Sequence, residues 1–180
     1  YFCARAKGGT GTLVTSYVAV CPPELGGIAM PGQIRLLNIG NELSLTHFAE
    51  RVHSYGAKLF VQLHHPGRKT TAEYNDGYQP VSCSALTPSM PAGTPSVRQL
   101  TVAQIKEIVD CFARGAQYVK WSGADGIQIH CAHGYLLNQF ISPAKNARTD
   151  EYGGSRENRC RIVIEIVQAI RKVVGPKFPV

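Results

Sequence analysis

The sequence predicts an α/β fold in which strands and helices alternate around a parallel sheet. Three observations carry this expectation. Compact runs rich in β-branched and other apolar residues, bounded by Gly and Pro, read as strands at 11–20, 58–64 and 126–131. Between them, apolar residues recur at helical spacing over segments too long for strands. The resulting order (strand, helix, strand, helix, strand, helix, strand) requires crossover connections, and so a parallel sheet with helices outside it. Periodicity leaves a closed barrel and an open doubly wound sheet both open; in either, ligands gather at the C-terminal ends of the strands.

Each element has its local reason. The first seven residues read as the end of a preceding helix. Residues 11–20, with Val14, Val18 and Val20 beside Thr12 and Thr15, read as one buried strand. A Pro- and Gly-rich loop runs to about Asn41. Leu45, Phe48, Ala49, Val52 and Tyr55 then mark one helix face, with Ser44 as N-cap and Gly56 as stop. After the strand at 58–64, residues 65–100 form a loop rich in Pro, Ser and Thr, of a length that is usually functional or disordered. Thr101, followed three residues on by Gln104, makes a capping box. Val102, Ile105, Ile108, Val109, Phe112, Ala116 and Val119 share one face of the helix it opens. The strand at 126–131 leads into a polar connection through 132–154, with a short helix at 136–140. Ser155 opens the last helix, whose apolar side includes Ile162, Ile166, Ile170 and Val174, and Gly175-Pro176 ends it. Val180 falls in a fourth strand.

Composition narrows the class. The chain has 180 residues, 44% of them hydrophobic, which suits one globular unit. It has no apolar run of membrane-spanning length and no export signal, so it reads as soluble and cytoplasmic. The six cysteines are scattered without a C-x-x-C pair and read as reduced thiols. A net charge of +7 is spread over dispersed Lys and Arg without aromatic interleaving. That pattern describes a solvated surface with some attraction for phosphate-bearing small molecules, not a nucleic-acid interface. Tyr1 at the start and a strand-like opening at 177–180 suggest a piece of a longer protein.

Chemistry-bearing residues collect at the strand ends: Ser16 and Tyr17 on the first strand, Gln62, His64 and His65 on the second, His130, His133 and Tyr135 after the third. Strand side chains alternate faces, so Gln62 and His64 share one face, as do Gln128 and His130. An amide and two imidazoles can thus look into one mouth. The set offers neutral donors and titratable rings, with no carboxylate cluster and no serine elbow. Hydride chemistry on a bound cofactor suits it, the protein supplying hydrogen bonds to a substrate oxygen and a proton. Against this, His65 has a structural alternative as a hydrogen-bonded residue, and His130-x-x-His133 could be half of a metal site. No further ligand stands near enough in sequence to complete one, so no metal is expected.

Residues 124–143 (ADGIQIHCAHGYLLNQFISP) continue through 146–159 (NARTDEYGGSRENR), and residues 61–68 read VQLHHPGR. Together with Lys7-Gly8-Gly9 before the first strand, these stretches resemble the Old Yellow Enzyme family of FMN-dependent NAD(P)H oxidoreductases over nearly the whole chain. The resemblance implies a partial TIM (β/α)8 barrel, roughly strands 2 to 5, with the long loop after strand 3. Residues 1–180 would then form an incomplete FMN-binding domain, its first strand and C-terminal half absent. It implies that Gln62 binds the flavin pyrimidine edge and that the backbone near Ser16 and Tyr17 contacts the isoalloxazine. His130 and His133 would bind the substrate oxygen, Tyr135 would protonate the substrate carbon, and His64 would be a substrate-pocket residue. The run Arg148, Asp150, Gly153, Gly154, Glu157, Asn158 and Arg159 reads as structural, a turn and a helix cap.

Activated alkenes are the expected acceptors, with FMN and NAD(P)H as cofactors and a small-molecule substrate as partner; oligomeric state is open, and neither nucleic acid nor membrane is expected. Two alternatives remain. The chain could be the barrel of a multidomain dienoyl-CoA reductase or trimethylamine dehydrogenase-like flavoprotein, with an iron-sulfur cluster and FAD in regions beyond it. Or it could be a binding module on a barrel that has lost catalysis.

Overall fold

Every strand pairing in the sheet is parallel, as alternation with helices requires. The computed structural model describes residues 1–85 and 97–180, so part of the predicted long loop, 86–96, lies outside the described residues. In chain order the elements are α1 (Phe2–Lys7), β1 (Thr12–Val14), β2 (Val18–Ala19), α2 (Glu42–His53), β3 (Lys58–His64), β4 (Val81–Ser82), β5 (Arg98–Gln99), α3 (Val102–Trp121), β6 (Gly126–Ile129), α4 (Leu136–Ile141) and α5 (Arg156–Val174). β3 is central, with β1 and β2 on one edge and β6 on the other. Val14 pairs with Phe60, Val18 with Leu63, and Gln62 with Gln128.

The alternation of β3 decides where the core sits. Leu59, Val61 and Leu63 are fully buried, as are Ile105, Ile108 and Phe112 of α3 and Ile162, Ile166 and Ile170 of α5. Each such side chain contributes roughly 1.5–3 kcal/mol on burial. The opposite parity of β3 carries Phe60, Gln62 and His64. α3 starts where the sequence places it: Thr101 Oγ1 accepts from Gln104 N (3.2 Å) and Gln104 Oε1 from Thr101 N (3.1 Å). α5 is likewise capped by Ser155, whose Oγ accepts from Asn158 N at 3.2 Å.

Several boundaries differ from the sequence-based expectation. The strand at 11–20 is broken in two. Thr15 N donates to Phe60 O (3.0 Å), but the next ladder acceptor is the Thr15 hydroxyl, which takes Gln62 N at 2.9 Å. A side chain replaces a backbone carbonyl, and the chain leaves the ladder at Ser16 and Tyr17 before rejoining as β2. Ser44 is not the N-cap of α2. The helix begins earlier, behind a 3-10 turn at Ile39–Asn41, where Asn41 Oδ1 accepts from Leu37 N and Asn38 N. β6 ends at Ile129, not Cys131, and the fourth strand is represented by one bond, Ile127 N to Pro179 O at 3.0 Å. The long loop contains a 3-10 turn at Glu73–Asn75 and the short parallel pair of β4 with β5. All six cysteines are free. No helix among the described residues is long and apolar enough to cross a membrane.

Candidate active site

The C-terminal ends of β1, β3 and β6 deliver five aromatic rings to one place. His64, the last residue of β3, has no exposed surface. Its ring centroid lies 4.3 Å from that of Tyr135, edge to face, 4.7 Å from Tyr17 and 5.4 Å from His130. His130 in turn sits 4.9 Å from Tyr135 and 5.2 Å from His133, both edge to face. Tyr17 reaches the cluster because the strand breaks at Thr15; its hydroxyl donates to Met30 Sδ (2.9 Å), and Gln33 Nε2 holds its carbonyl at 3.4 Å.

Beside the rings lies a hollow of about 410 Å³ lined by Gln62, Gln128, Ile129, His130, Cys131, Ala132 and His133. Gln62 Nε2 donates to Gln128 Oε1 across the strand pair. Ser16 and Tyr17 line a neighbouring hollow of about 320 Å³ with residues 30–34. Gln62, His130 and His133 are therefore brought together, with Tyr135 against His130. Ser16 stands apart, and His64 lies behind the rings rather than on the wall of the hollow.

Burial favours the neutral form of three of the imidazoles, His64, His65 and His130. Burial, reinforced by His65 and His130, lowers the pKa of His64 to about 3, and burial lowers His130 as well, with His133 adding to it. His130 Nδ1 accepts from Ala132 N (3.2 Å), which leaves its Nε2–H as a donor. His65 behaves as a structural residue. Nε2 donates to Leu25 O (3.0 Å), Nδ1 accepts from Gly67 N (3.0 Å), and burial brings its pKa to about 4. Neither ring nitrogen of His64 has a hydrogen-bond partner among the described residues. No cluster of three His, Cys, Asp or Glu positioned for a metal occurs among them.

The connection from 132 to 154 is tied to its neighbours by identifiable bonds. Leu136 N donates to His65 O (3.1 Å), pinning the start of α4, and hence Tyr135, to the end of β3. Gln139, which is buried, donates from Nε2 to Gly134 O (2.7 Å) and accepts at Oε1 from Ser82 Oγ (2.9 Å). Arg148 ties the loops together, with Nη1 donating to Cys83 O and Leu100 O while Asp150 takes the rest of the fork. A Cβ at Gly153 would collide with the Arg148 carbonyl, so only glycine fits there. These bonds agree with a structural reading of the run from Arg148 to Arg159. Gln128, Gln139 and Lys69, whose Nζ donates to His133 O at 2.6 Å, are parts of the site that the sequence pattern does not single out. Only the register of Gln128 with Gln62 leaves a trace in it.

Chemically, the arrangement sets two imidazoles on the wall of a hollow whose lining holds no carboxylate, with a phenol packed against one of them. Such donors suit an oxygen or carbon on which negative charge grows.

Known proteins resemble the chain in both sequence and fold. Residues 1–180 match the sequence profile of the NADH:flavin oxidoreductase / NADH oxidase family. The chain is 42% identical over 180 residues to an NADH oxidase of Thermoanaerobacter brockii, covering all of this chain and 27% of the relative. It is 38% identical over 185 residues to an NADPH dehydrogenase of Clostridium acetobutylicum, covering all of this chain and 51% of that protein. The fold superposes on morphinone reductase with a TM-score of 0.85 at 31% identity, covering 99% of this chain and 50% of that one. The chain thus spans between about a quarter and a half of the length of these relatives. It belongs to the NADH:flavin oxidoreductase / NADH oxidase family, as the stretches at 61–68 and 124–159 had suggested.

Proposed function

We propose that the chain is the substrate-binding part of an FMN-dependent NAD(P)H:acceptor oxidoreductase that reduces activated alkenes, and that it contributes roughly strands 2 to 5 of a (β/α)8 barrel. The observation that carries this reading is the convergence of the Gln62–Gln128 amide pair with His130 and His133 around one hollow at the strand ends, with the Tyr135 ring packed against His130. The donor set fits FMN. Two adjacent amides offer the alternating donor and acceptor that a pyrimidine edge requires, and the Tyr17 ring reaches the same end of the sheet. Bound FMN would supply the two-electron chemistry between NAD(P)H and the acceptor.

The chain's own residues do the rest. His130 and His133 donate to the acceptor's carbonyl oxygen, a well-aimed donor being worth roughly 3–4 kcal/mol where charge develops. Tyr135 gives its proton to the substrate carbon, and His64 shapes acceptor choice from behind, through the rings of Tyr135 and His130. The names of the relatives, an NADH oxidase and an NADPH dehydrogenase, support the nicotinamide side of this reading.

The test uses the whole protein under anaerobic conditions. Flavin absorbance should bleach with NADPH or NADH and return on adding a cyclic enone; bound flavin that neither nucleotide bleaches would overturn the proposal. The 27% coverage of the Thermoanaerobacter brockii protein favours a second reading, in which the barrel sits in a longer flavoprotein with an iron-sulfur cluster and FAD. Iron and acid-labile sulfide in the purified whole protein would decide for it.

A further inference from the structure

His133 and Gly134 are consecutive left-handed residues, with φ of 57° and 73°. Glycine accepts that conformation freely, but at His133 it costs roughly 1–2 kcal/mol, so the surroundings must hold it. Three side chains do so. Asn138 Oδ1 accepts from Gly134 N (3.0 Å) and Gln139 Nε2 donates to Gly134 O (2.7 Å), both from the adjoining α4. The third is distant in sequence: Lys69, in the loop after β3, donates from Nζ to His133 O at 2.6 Å. The same ammonium lies 5.2 Å from the ring centroid of Tyr135, within cation–π range. Among the described residues Lys69 makes no ion pair. The side chain is exposed, and its ammonium touches one carbonyl and one ring, which belong to the two donors that bracket the turn.

We propose that Lys69 is a positioning residue of the acceptor site, setting the aim of the His133 imidazole and the Tyr135 phenol through the carbonyl and the ring it touches. This rests on the function proposed above. A lysine that served only to close the loop would need the carbonyl alone, and the contact with the Tyr135 ring is additional to it. One lodged between the two donors biases both at once, and leaves a positive charge beside the place where the acceptor oxygen becomes negative.

The experiment compares wild type, Lys69→Met and Lys69→Arg in the whole flavin-loaded protein, following flavin reduction by NADPH and reoxidation by 2-cyclohexenone separately. In the Met variant reoxidation should slow at least about tenfold more than reduction, with a larger solvent deuterium isotope effect as proton delivery becomes limiting. The Arg variant should recover to within about threefold of wild type, because it keeps the charge and the donor. Histidine ring NMR reads the same point without turnover: the His133 signals should shift in the Met variant and return in the Arg variant, while His65 stays put. A wild type that reduces no enone defeats the functional reading, and the NMR comparison then decides Lys69 alone. Unmoved His133 signals, equal loss in both half-reactions, or failure of both variants to fold would overturn the positioning role.

Discussion

The two ends of the parallel sheet solve opposite problems. At the N-terminal ends of the strands, Asp125 accepts from Leu59 N (2.9 Å), His53 Nε2 (2.6 Å) and Lys58 Nζ (2.9 Å), joining α2, β3 and the start of β6. Burial pushes this carboxyl up, but the Leu59 N–H, Lys58 and His53 outweigh it and hold it below the usual carboxylate range. At the C-terminal ends there is no such pairing: aromatic rings pack on one another, and the nitrogens of His64 find no partner among the described residues. One end satisfies its charges with one another, whereas the other keeps a buried imidazole with no hydrogen bond among the described residues.

Acid should separate the two ends, and this is the largest stability effect expected. His64 and His65 titrate near 3 and 4 in the fold, against 6.5 when unfolded, so the unfolded chain takes up protons first. Stability therefore falls as pH drops through about 6.5 and continues to fall toward those folded values. The loss reaches several kcal/mol, because each tenfold difference in proton affinity between the folded and unfolded chain is worth roughly 1.4 kcal/mol. Chemical denaturation of the whole protein at steps between about pH 7.5 and 4.5 checks this, and His64→Leu should flatten the curve. An unchanged slope in that variant would mean that His64 is not the buried neutral base described here.

The Asp125 end responds lower on the pH scale and more weakly. Its depressed carboxyl contributes stability that is present above about 3.8 and lost as pH falls further. Asp125→Asn should cost roughly 1–3 kcal/mol at neutral pH and progressively less below about pH 4, with the flavin spectrum unaltered. A loss of flavin binding in that variant would join the two ends and break the contrast.

What could be read from the sequence follows the same division. Helices α3 and α5 were legible to their caps, because Thr101 with Gln104 and Ser155 carry local signals that their own turns satisfy. The central strand was legible because its alternation is uninterrupted. The break at Thr15 was not, since a β-branched residue that lends its hydroxyl to the ladder looks like any other strand residue. Ser44 was a plausible cap overridden by Asn41, whose amide reaches back to Leu37 and Asn38. Within the site, Gln62, His130, His133 and Tyr135 stood out by type and position. Lys69 and Gln139 did not, because their parts depend on contacts made across more than fifty residues.

The most direct test of the ring cluster as the acceptor site is stopped-flow kinetics of Tyr135→Phe in the whole flavin-loaded protein, with the two half-reactions measured apart. Loss of a positioned proton donor should slow flavin reoxidation by an enone roughly 10²–10⁴-fold, while reduction by NADPH stays within about twofold of wild type. An equal loss in both halves, or none in either, would contradict the account.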